Sequence, residues 1–112
     1  MGVRAHLESR LPRDAAAGSR IRVVWTLYRI ERGERRPFDA GGLFVRLRSA
    51  SGRAPTRAVG DGGRGRYVAR IKVPRGGIGG IRFGLEGVRI IGGRQEPADL
   101  YFPLDNDPFA QR

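Results

Sequence analysis

Basic side chains on the polar faces of predicted strands are the residues of this chain best suited to chemistry. Residues 66 to 73 show the pattern most clearly, because apolar and polar residues alternate there with the two-residue period of a strand. A guanidinium group binds phosphate or carboxylate through paired hydrogen bonds and stays charged at physiological pH. Eight residues are predicted to point outward in this way: Arg20, Arg22, Arg46, Arg48, Arg66, Arg70, Lys72 and Arg82. Aligned on neighbouring strands, they would form a basic face for a polyanion, with Tyr28 and Phe44 as stacking groups.

The overall charge has two explanations. The chain carries 22 basic residues, of which only Lys72 is lysine, against 11 acidic residues, for a net charge of +11. Such a surface attracts nucleic acid, acidic glycans or anionic lipid. An arginine-, glycine- and alanine-rich composition also follows from a GC-rich gene, with solvated arginines that discourage edge-to-edge aggregation. Both interpretations remain open from sequence.

A glycine-rich loop is the second candidate for ligand contact. It contains Arg75, Gly76, Gly77, Gly79 and Gly80. Phosphate-binding loops are also rich in glycine, but they lead into a helix whose N-terminus holds the anion. Because a strand pattern follows this loop, we expect a mobile hairpin or a bulged turn presented to a partner.

His6 and the acidic residues offer little for metal or catalytic chemistry. His6 is the single histidine and the chain has no cysteine, so the usual zinc ligands are lacking and no Ser-His-Asp spacing occurs. Asp105-Asn106-Asp107 offers three oxygen side chains to calcium without the glycine and distal glutamate of an EF-hand, and we expect a turn or linker there. Asp61 and Glu86 lie among arginines. Their spacing does not bring the two carboxylates together as a pair for acid–base catalysis. We therefore expect no metal, no cofactor, no small-molecule substrate and no enzymatic activity.

Strand-type alternation extends over most of the chain and predicts an all-β fold. The predicted strands cover residues 3–11, 20–30, 43–47, 56–59, 66–73, 80–91 and 100–104. Trp25, Ile71 and Phe83 are expected in the core. In the strand over 80–91, a bulge is predicted after which Val88 and Ile90 become buried. About seven strands without a helical period predict an antiparallel β-sandwich, with a barrel as the alternative.

Length and composition indicate one domain. A chain of 112 residues can bury about two thirds of its unfolded surface. We assign residues 1–104 to a single β-sandwich domain and residues 105–112 to a C-terminal tail or linker. No run of 18 apolar residues and no signal-peptide apolar region occurs. The compartment stays open, and an extracytoplasmic location is favoured if the chain is a piece of a longer protein.

Two motifs resemble those of immunoglobulin-like sandwiches. They run Asp61-x-x-x-Gly65-x-Tyr67-x-Ala69-x-Ile71 and Ile21-x-Val23-x-Trp25-x-Leu27. The first resembles the entrance to strand F, where a corner tyrosine stands, with Ala69 in place of the disulfide cysteine. The second resembles the tryptophan-bearing early strand of fibronectin type III modules, which lack the disulfide. The resemblance implies an immunoglobulin-like sandwich over residues 3 to 104.

Residues 65 to 74 are also similar to a signature of small bacterial extracytoplasmic sandwiches. The signature is G-x-Y-x-A-x-(hydrophobic)-x-(hydrophobic)-P, as in YtkA-like or FixH-like domains. Those domains often accompany metal handling. This chain offers only His6 and Met1 as soft ligands, so the metal role is not carried over.

These observations lead to two hypotheses for function. The first is a non-enzymatic accessory or interaction module of a bacterial, thermophilic protein, which holds loops 31–40 and 74–80 toward an unknown protein partner or a polymer. The second is a polyanion-binding β-domain that uses its arginine-rich face on nucleic acid or an acidic glycan. Pairing of edge strands between copies would add a homo-oligomer to either hypothesis.

Overall fold

The computed structural model describes residues 2–12 and 14–110, and this part of the chain is built from strands without helices. The strands are β1 (Val3–Leu7), β2 (Arg20–Glu31), β3 (Glu34–Pro37), β4 (Leu43–Ser49), β5 (Thr56–Val59), β6 (Asp61–Gly63), β7 (Arg66–Lys72), β8 (Ile78–Leu85), β9 (Val88–Ile91), β10 (Arg94–Pro97) and β11 (Leu100–Phe102). The all-β prediction is confirmed. The described residues form eleven strands instead of about seven, because several short strands lie in regions predicted to be loops and one predicted strand is divided in two.

Two antiparallel sheets form a sandwich-like arrangement around the core. The first sheet has the order β1-β2-β7-β6, and β3 pairs with the far end of β2. The second sheet has the order β11-β8-β4-β5. Among the described residues, the strands β9 and β10 pair only with each other and form a separate hairpin. The chain passes from the second sheet to the first at Gly60, between β5 and β6.

The core follows from the alternation of β2 with its neighbour β7. In the register of this pair, Trp25 lies opposite Tyr67. Trp25 is fully buried and stacks on Phe83 of the second sheet, with ring centroids 4.8 Å apart. Ile71 is also buried, which confirms the core positions predicted for Trp25, Ile71 and Phe83.

Tyr67 fixes the loop between β3 and β4. Its hydroxyl donates to the carbonyl of Phe38 (2.8 Å) and accepts from the amide of Ala40 (3.3 Å). Burial is the main cause of the raised pKa of this phenol. The corner tyrosine of immunoglobulin domains binds backbone only a few residues upstream, whereas Tyr67 reaches 29 residues back along the chain to Phe38.

Three two-residue turns explain the extra strands. Their central residues all have positive φ: Arg32 (51°) and Gly33 (80°), Arg64 (56°) and Gly65 (75°), and Gly92 (58°) and Gly93 (80°). Positive φ at both positions is the geometry of a type I′ turn, whose twist matches that of a β-hairpin. Paired strands and their connecting turns are therefore found where the sequence predicted only loops or turns, in residues 31–37, 61–65 and 92–97.

The predicted strand over 80–91 is divided in two, and the prediction that Val88 and Ile90 are buried is wrong. The chain leaves the second sheet after Leu85, where the amide of Glu86 donates to the carbonyl of Gly42 (2.9 Å). The carbonyl of Gly87 then accepts from the amide of Ala98 (2.8 Å), which closes the base of the hairpin. Val88 and Ile90 therefore project with the hairpin into solvent.

The segment after β11 stays against β1. The side-chain amide of Asn106 forms two hydrogen bonds with the backbone of Leu7. Its Nδ2 donates to the Leu7 carbonyl and its Oδ1 accepts from the Leu7 amide, both at 2.9 Å. The amide of Asp105 donates to the carbonyl of Ala5 (2.9 Å), and Phe109 packs against the core. The sequence interpretation made residues 105–112 a tail or linker; within their described part, 105–110, Asp105 and Asn106 are bound to β1.

Gly60 provides a test of how tightly the core is closed. A Cβ at this position would meet the ring of Trp25, with Cζ2 at 2.7 Å. Since Trp25 is held between both sheets, we expect Gly60→Ala to lower the free energy of unfolding by about 1–3 kcal/mol through overpacking, measured as a lower midpoint in urea. Gly63→Ala is the control, because nothing lies within 4 Å of the added methyl group. Equal midpoints for the two variants would contradict this account.

Candidate functional site

The eight basic residues predicted to form one face lie on two opposite faces of the sandwich. Arg20, Arg22, Arg66, Arg70 and Lys72 belong to β2 and β7 of the first sheet, whereas Arg46, Arg48 and Arg82 belong to β4 and β8 of the second. Residues that alternate with them are in the core in both sheets. The single aligned face expected from sequence is therefore divided, and the two halves differ in their surroundings.

The first-sheet residues form a basic strip, defined here as Arg20, Arg22, Arg66, Arg70 and Lys72, which the pair of Val24 and Val68 interrupts between Arg70 and Arg66. The register of β2 and β7 places Arg20 opposite Lys72 and Arg22 opposite Arg70. Residues directly opposite on one face have Cβ atoms about 5 Å apart. Since a strand rises about 3.4 Å per residue, the strip extends about 20 Å along β7.

The basic strip is not neutralised by the rest of the described chain. All five side chains are exposed, and no ion pair within residues 2–12 and 14–110 includes any of them. Like charges directly opposite each other destabilise a sheet. Asp61 lies on this face at the edge strand, opposite Val68. The strip therefore concentrates positive charge that an anionic partner would compensate.

One end of the basic strip opens into a cleft of about 300 Å³. Its lining includes Lys72 of the strip and Arg75 of the glycine-rich loop. Thr56 also lines it, and its hydroxyl donates to the carbonyl of Lys72 (2.8 Å). Of the five loop residues predicted to contact a partner, Arg75 is thus the one that lines the same cleft as a residue of the strip.

The glycine-rich loop is a closed turn followed by an irregular strand start. Its glycines are divided between the turn (Gly76 and Gly77, φ 95° and 87°) and β8 (Gly79 and Gly80). The carbonyl of Arg75 accepts a hydrogen bond from the hydroxyl of Ser49 (2.5 Å), and the register of β4 against β8 shifts between Arg48 and Ser49. This agrees with the bulged turn expected from sequence. Close contact with Ser51 requires glycine at position 76, so packing accounts for it without a phosphate.

The outer face of the second sheet is covered around Phe44 by its own contacts, whereas Arg48 and Arg82 on this face are exposed. Phe44 is fully buried there. The guanidinium carbon of Arg57 lies 4.0 Å from its ring centroid and that of Arg46 lies 5.7 Å away, while Tyr101 meets the ring edge-on at 5.8 Å. A Cβ at Gly84 would clash with the Phe44 ring, so this glycine lets Phe44 lie across β8. Phe44 is therefore not available as a stacking group.

Carboxylates pair with the arginines of this second face. Glu86 lies 2.8 Å from Arg57, and Asp99 lies 4.0 Å from both Arg57 and Arg46. Sequence reasoning did not select Arg57, although it occupies the outward phase of the short strand over 56–59. Since Arg46 and Arg57 already have acidic partners, this face is less suited to a polyanion than the basic strip.

Tyr28, the other predicted stacking group, is buried in a polar cluster at the edge of the first sheet. Its hydroxyl donates to Oδ2 of Asp105 (2.5 Å), and the Arg35 guanidinium carbon lies 4.2 Å from its ring centroid. The hydrogen bond to Asp105 is the main cause of the raised pKa of Tyr28. His6 completes the cluster, with Nδ1 2.7 Å from Oδ1 of Asp105. Tyr28 is thus used for structure and does not offer its face to a ligand.

The three oxygen-bearing side chains considered for calcium form hydrogen bonds with separate partners. Asp105 contacts Tyr28 and His6, Asn106 brackets a backbone unit of β1, and Oδ1 of Asp107 accepts from the amide of Phe109 (2.9 Å). Within the described residues, no group of three or more histidine, cysteine or acidic side chains could hold a metal ion.

Asp105 gives the fold a defined dependence on acid. Burial by itself raises the pKa of the Asp105 carboxyl, but hydrogen bonds from Tyr28 and His6 and the charge of Arg35 outweigh it, so the pKa falls below its ordinary value of 3.8. A carboxyl with a lower pKa in the folded state stabilises the fold above pH 3.8, and this contribution is lost as the pH falls through the folded value.

We therefore expect Asp105→Asn to reduce the free energy of unfolding most at neutral pH. The difference from the wild type should shrink when the pH is lowered below 3.8, as measured by urea titration at a series of pH values. Asp61→Asn is the control, because Asp61 is exposed and outside the cluster. A difference for Asp105→Asn that stays constant down to the acid limit would show that the carboxylate charge is not what stabilises this region.

Comparison of the chain with family models, with curated proteins and with solved structures finds no match. The described residues include no helix long and apolar enough to cross a membrane.

Proposed function

We propose that this chain is a non-enzymatic binding module that holds an anionic polymer on the basic strip. The observation that carries the proposal is the pair of like-charged contacts, Arg20 opposite Lys72 and Arg22 opposite Arg70, on an exposed face of the sheet. Within the described residues neither pair has an acidic partner in an ion pair. A polymer of closely spaced phosphate or sulfate groups would supply the missing negative charge.

The chemistry of the strip favours recognition of charge over recognition of bases. Sequence-tolerant binding of single-stranded nucleic acid usually combines a basic groove with exposed aromatic rings on which bases stack. Here Tyr28 and Phe44 are both buried. The affinity is therefore expected to come from ion pairs, to be indifferent to base sequence and to fall with added salt. Nucleic acid and sulfated glycans are both suitable ligands.

The arrangement of the loops gives less support to a protein partner held by loops 31–40 and 74–80. β2 begins at Arg20, opposite Lys72, and ends at Glu31. The tip of loop 31–40 therefore lies about 40 Å from loop 74–80 for a strand of this length, and the rest of loop 31–40 returns along the sheet, where the amide of Phe38 donates to the carbonyl of Leu27 (3.0 Å). A small partner at that tip would not reach loop 74–80, whereas an extended polymer can lie along the basic strip.

The proposal predicts a steep dependence of binding on salt. A fluorescent random-sequence oligonucleotide should bind in the micromolar range at low salt. If about four cations contact single-stranded phosphates, the slope of log K against log salt is about −2.8, so the affinity falls roughly 50-fold between about 50 and about 200 mM salt. Heparin as competitor tests whether sulfate groups occupy the same strip. Binding that does not change with salt, or no binding at low salt, would overturn the proposal.

A matched pair of double variants locates the binding surface. Arg22→Gln with Arg70→Gln removes two cations from the centre of the strip and should reduce the salt slope by about 1.4. Arg89→Gln with Arg94→Gln removes the same charge from the exposed β9–β10 hairpin and should leave the slope nearly unchanged. Binding constants from fluorescence anisotropy at several salt concentrations give both slopes. Equal losses for the two double variants would mean that net charge, and not the strip, attracts the polymer.

A further inference from the structure

The β9–β10 hairpin projects from the sandwich with aliphatic side chains in solvent. Val88 is 64 % exposed, Ile90 is 72 % exposed and Ile91 is 46 % exposed. The two strands pair only with each other among the described residues. A two-stranded hairpin without a packed face is marginally stable in water at best, so additional strands on this hairpin would stabilise it.

The two edges of the hairpin differ in their capacity to accept another strand. Gly92 and Gly93 form a two-residue turn, so Ile91 and Arg94 are the closing pair. Because antiparallel pairs alternate in their hydrogen bonding, Ile90 directs its N–H and C=O groups toward the outer edge of β9. The outer edge of β10 contains Pro97, which has no N–H to donate. β9 therefore presents the more complete edge.

We propose that β9 pairs with β9 of a second copy of this chain, antiparallel about a two-fold axis at Ile90. In this register Ile90 lies opposite its own counterpart, and Arg89 lies opposite the second copy's Ile91. No like charges lie directly opposite each other across the new contact, and the two Arg89 side chains are diagonal neighbours whose repulsion salt screens. The two hairpins together form a four-stranded sheet.

The register also gives the joined sheet a continuous apolar row. Val88 and Ile90 are on the same face, because they are two residues apart on β9. The two Ile90 side chains are neighbours at the axis, with a Val88 on either side. Removal of these side chains from water supplies the driving force. Two four-residue strands that pair edge to edge bury less area than the interfaces of stable protein pairs, so we expect a weak dimer that depends on concentration.

The dimer responds to salt in the opposite sense to polymer binding. Each copy has a net charge of +11, and the resulting repulsion opposes association. Raising the salt from about 0.1 M to about 1 M shortens the Debye length from about 10 Å to about 3 Å, so the dimer should strengthen while binding of a polyanion weakens. The proposal does not depend on the basic strip, and the variant with Arg22→Gln and Arg70→Gln should still form the dimer.

Sedimentation equilibrium with two lysine variants tests the interface. Ile90→Lys places two ammonium groups directly opposite each other at the axis and should raise the dimer Kd about tenfold or more. Gln95→Lys adds the same charge one strand away and should change the Kd much less. A wild-type chain that is monomeric at millimolar concentration in high salt, or equal effects of the two variants, would overturn the proposal.

A cysteine cross-link provides a second test that does not depend on affinity. The chain has no cysteine, so Ile90→Cys introduces a single thiol. Opposed residues of a hydrogen-bonded antiparallel pair have Cα atoms about 5.5 Å apart, within the range for a disulfide. In the four-stranded sheet, residues at position 95 are about 14 Å apart, so Gln95→Cys should oxidise to dimer far more slowly. Equal rates for the two variants, or cross-linking of neither, would exclude this register.

Discussion

The contact of Trp25 with both sheets is the constraint on which the other features depend. Trp25 is fully buried on β2, stacks on Phe83 across the sandwich, and has Tyr67 beside it at 5.9 Å between ring centroids. A strand that places one residue inward places the next one outward. Once Trp25 is in the core, Arg22 and Arg20 must lie on the opposite face of the same strand. The interior of the first sheet therefore determines where its surface charges lie.

Arginine has two different roles on the two outer faces. On the second sheet, Arg57 and Arg46 lie over Phe44 and have Glu86 and Asp99 as partners. There the guanidinium groups cover an aromatic ring and contribute to packing. On the first sheet, the basic strip has neither an aromatic ring to cover nor a carboxylate in an ion pair among the described residues. Composition alone does not separate these roles, because the two sets have the same residue type and the same period.

Local periodicity predicted most strands and the core residues Trp25, Ile71 and Phe83. It did not predict which outward arginines share a face, because that depends on sheet order, which pairs strands far apart in sequence. The same holds for the contact of Asp105 with Tyr28, 77 residues apart. Val88 and Ile90 were misassigned for a different reason. Their alternation is that of a strand, but periodicity does not distinguish a face that packs in the core from one that stands on a separate hairpin.

The like-charged pairs of the basic strip couple ligand binding to the thermal behaviour of the fold. Repulsion between Arg22 and Arg70 across β2 and β7 acts on the folded chain much more than on the unfolded chain, where the two residues are far apart. A polymer that neutralises these side chains removes this repulsion and also binds only the folded form. By mass action such a ligand raises the melting temperature as its concentration exceeds Kd. If the proposed polymer binds the basic strip, the isolated domain is the less heat-resistant form and the ligand stabilises the first sheet.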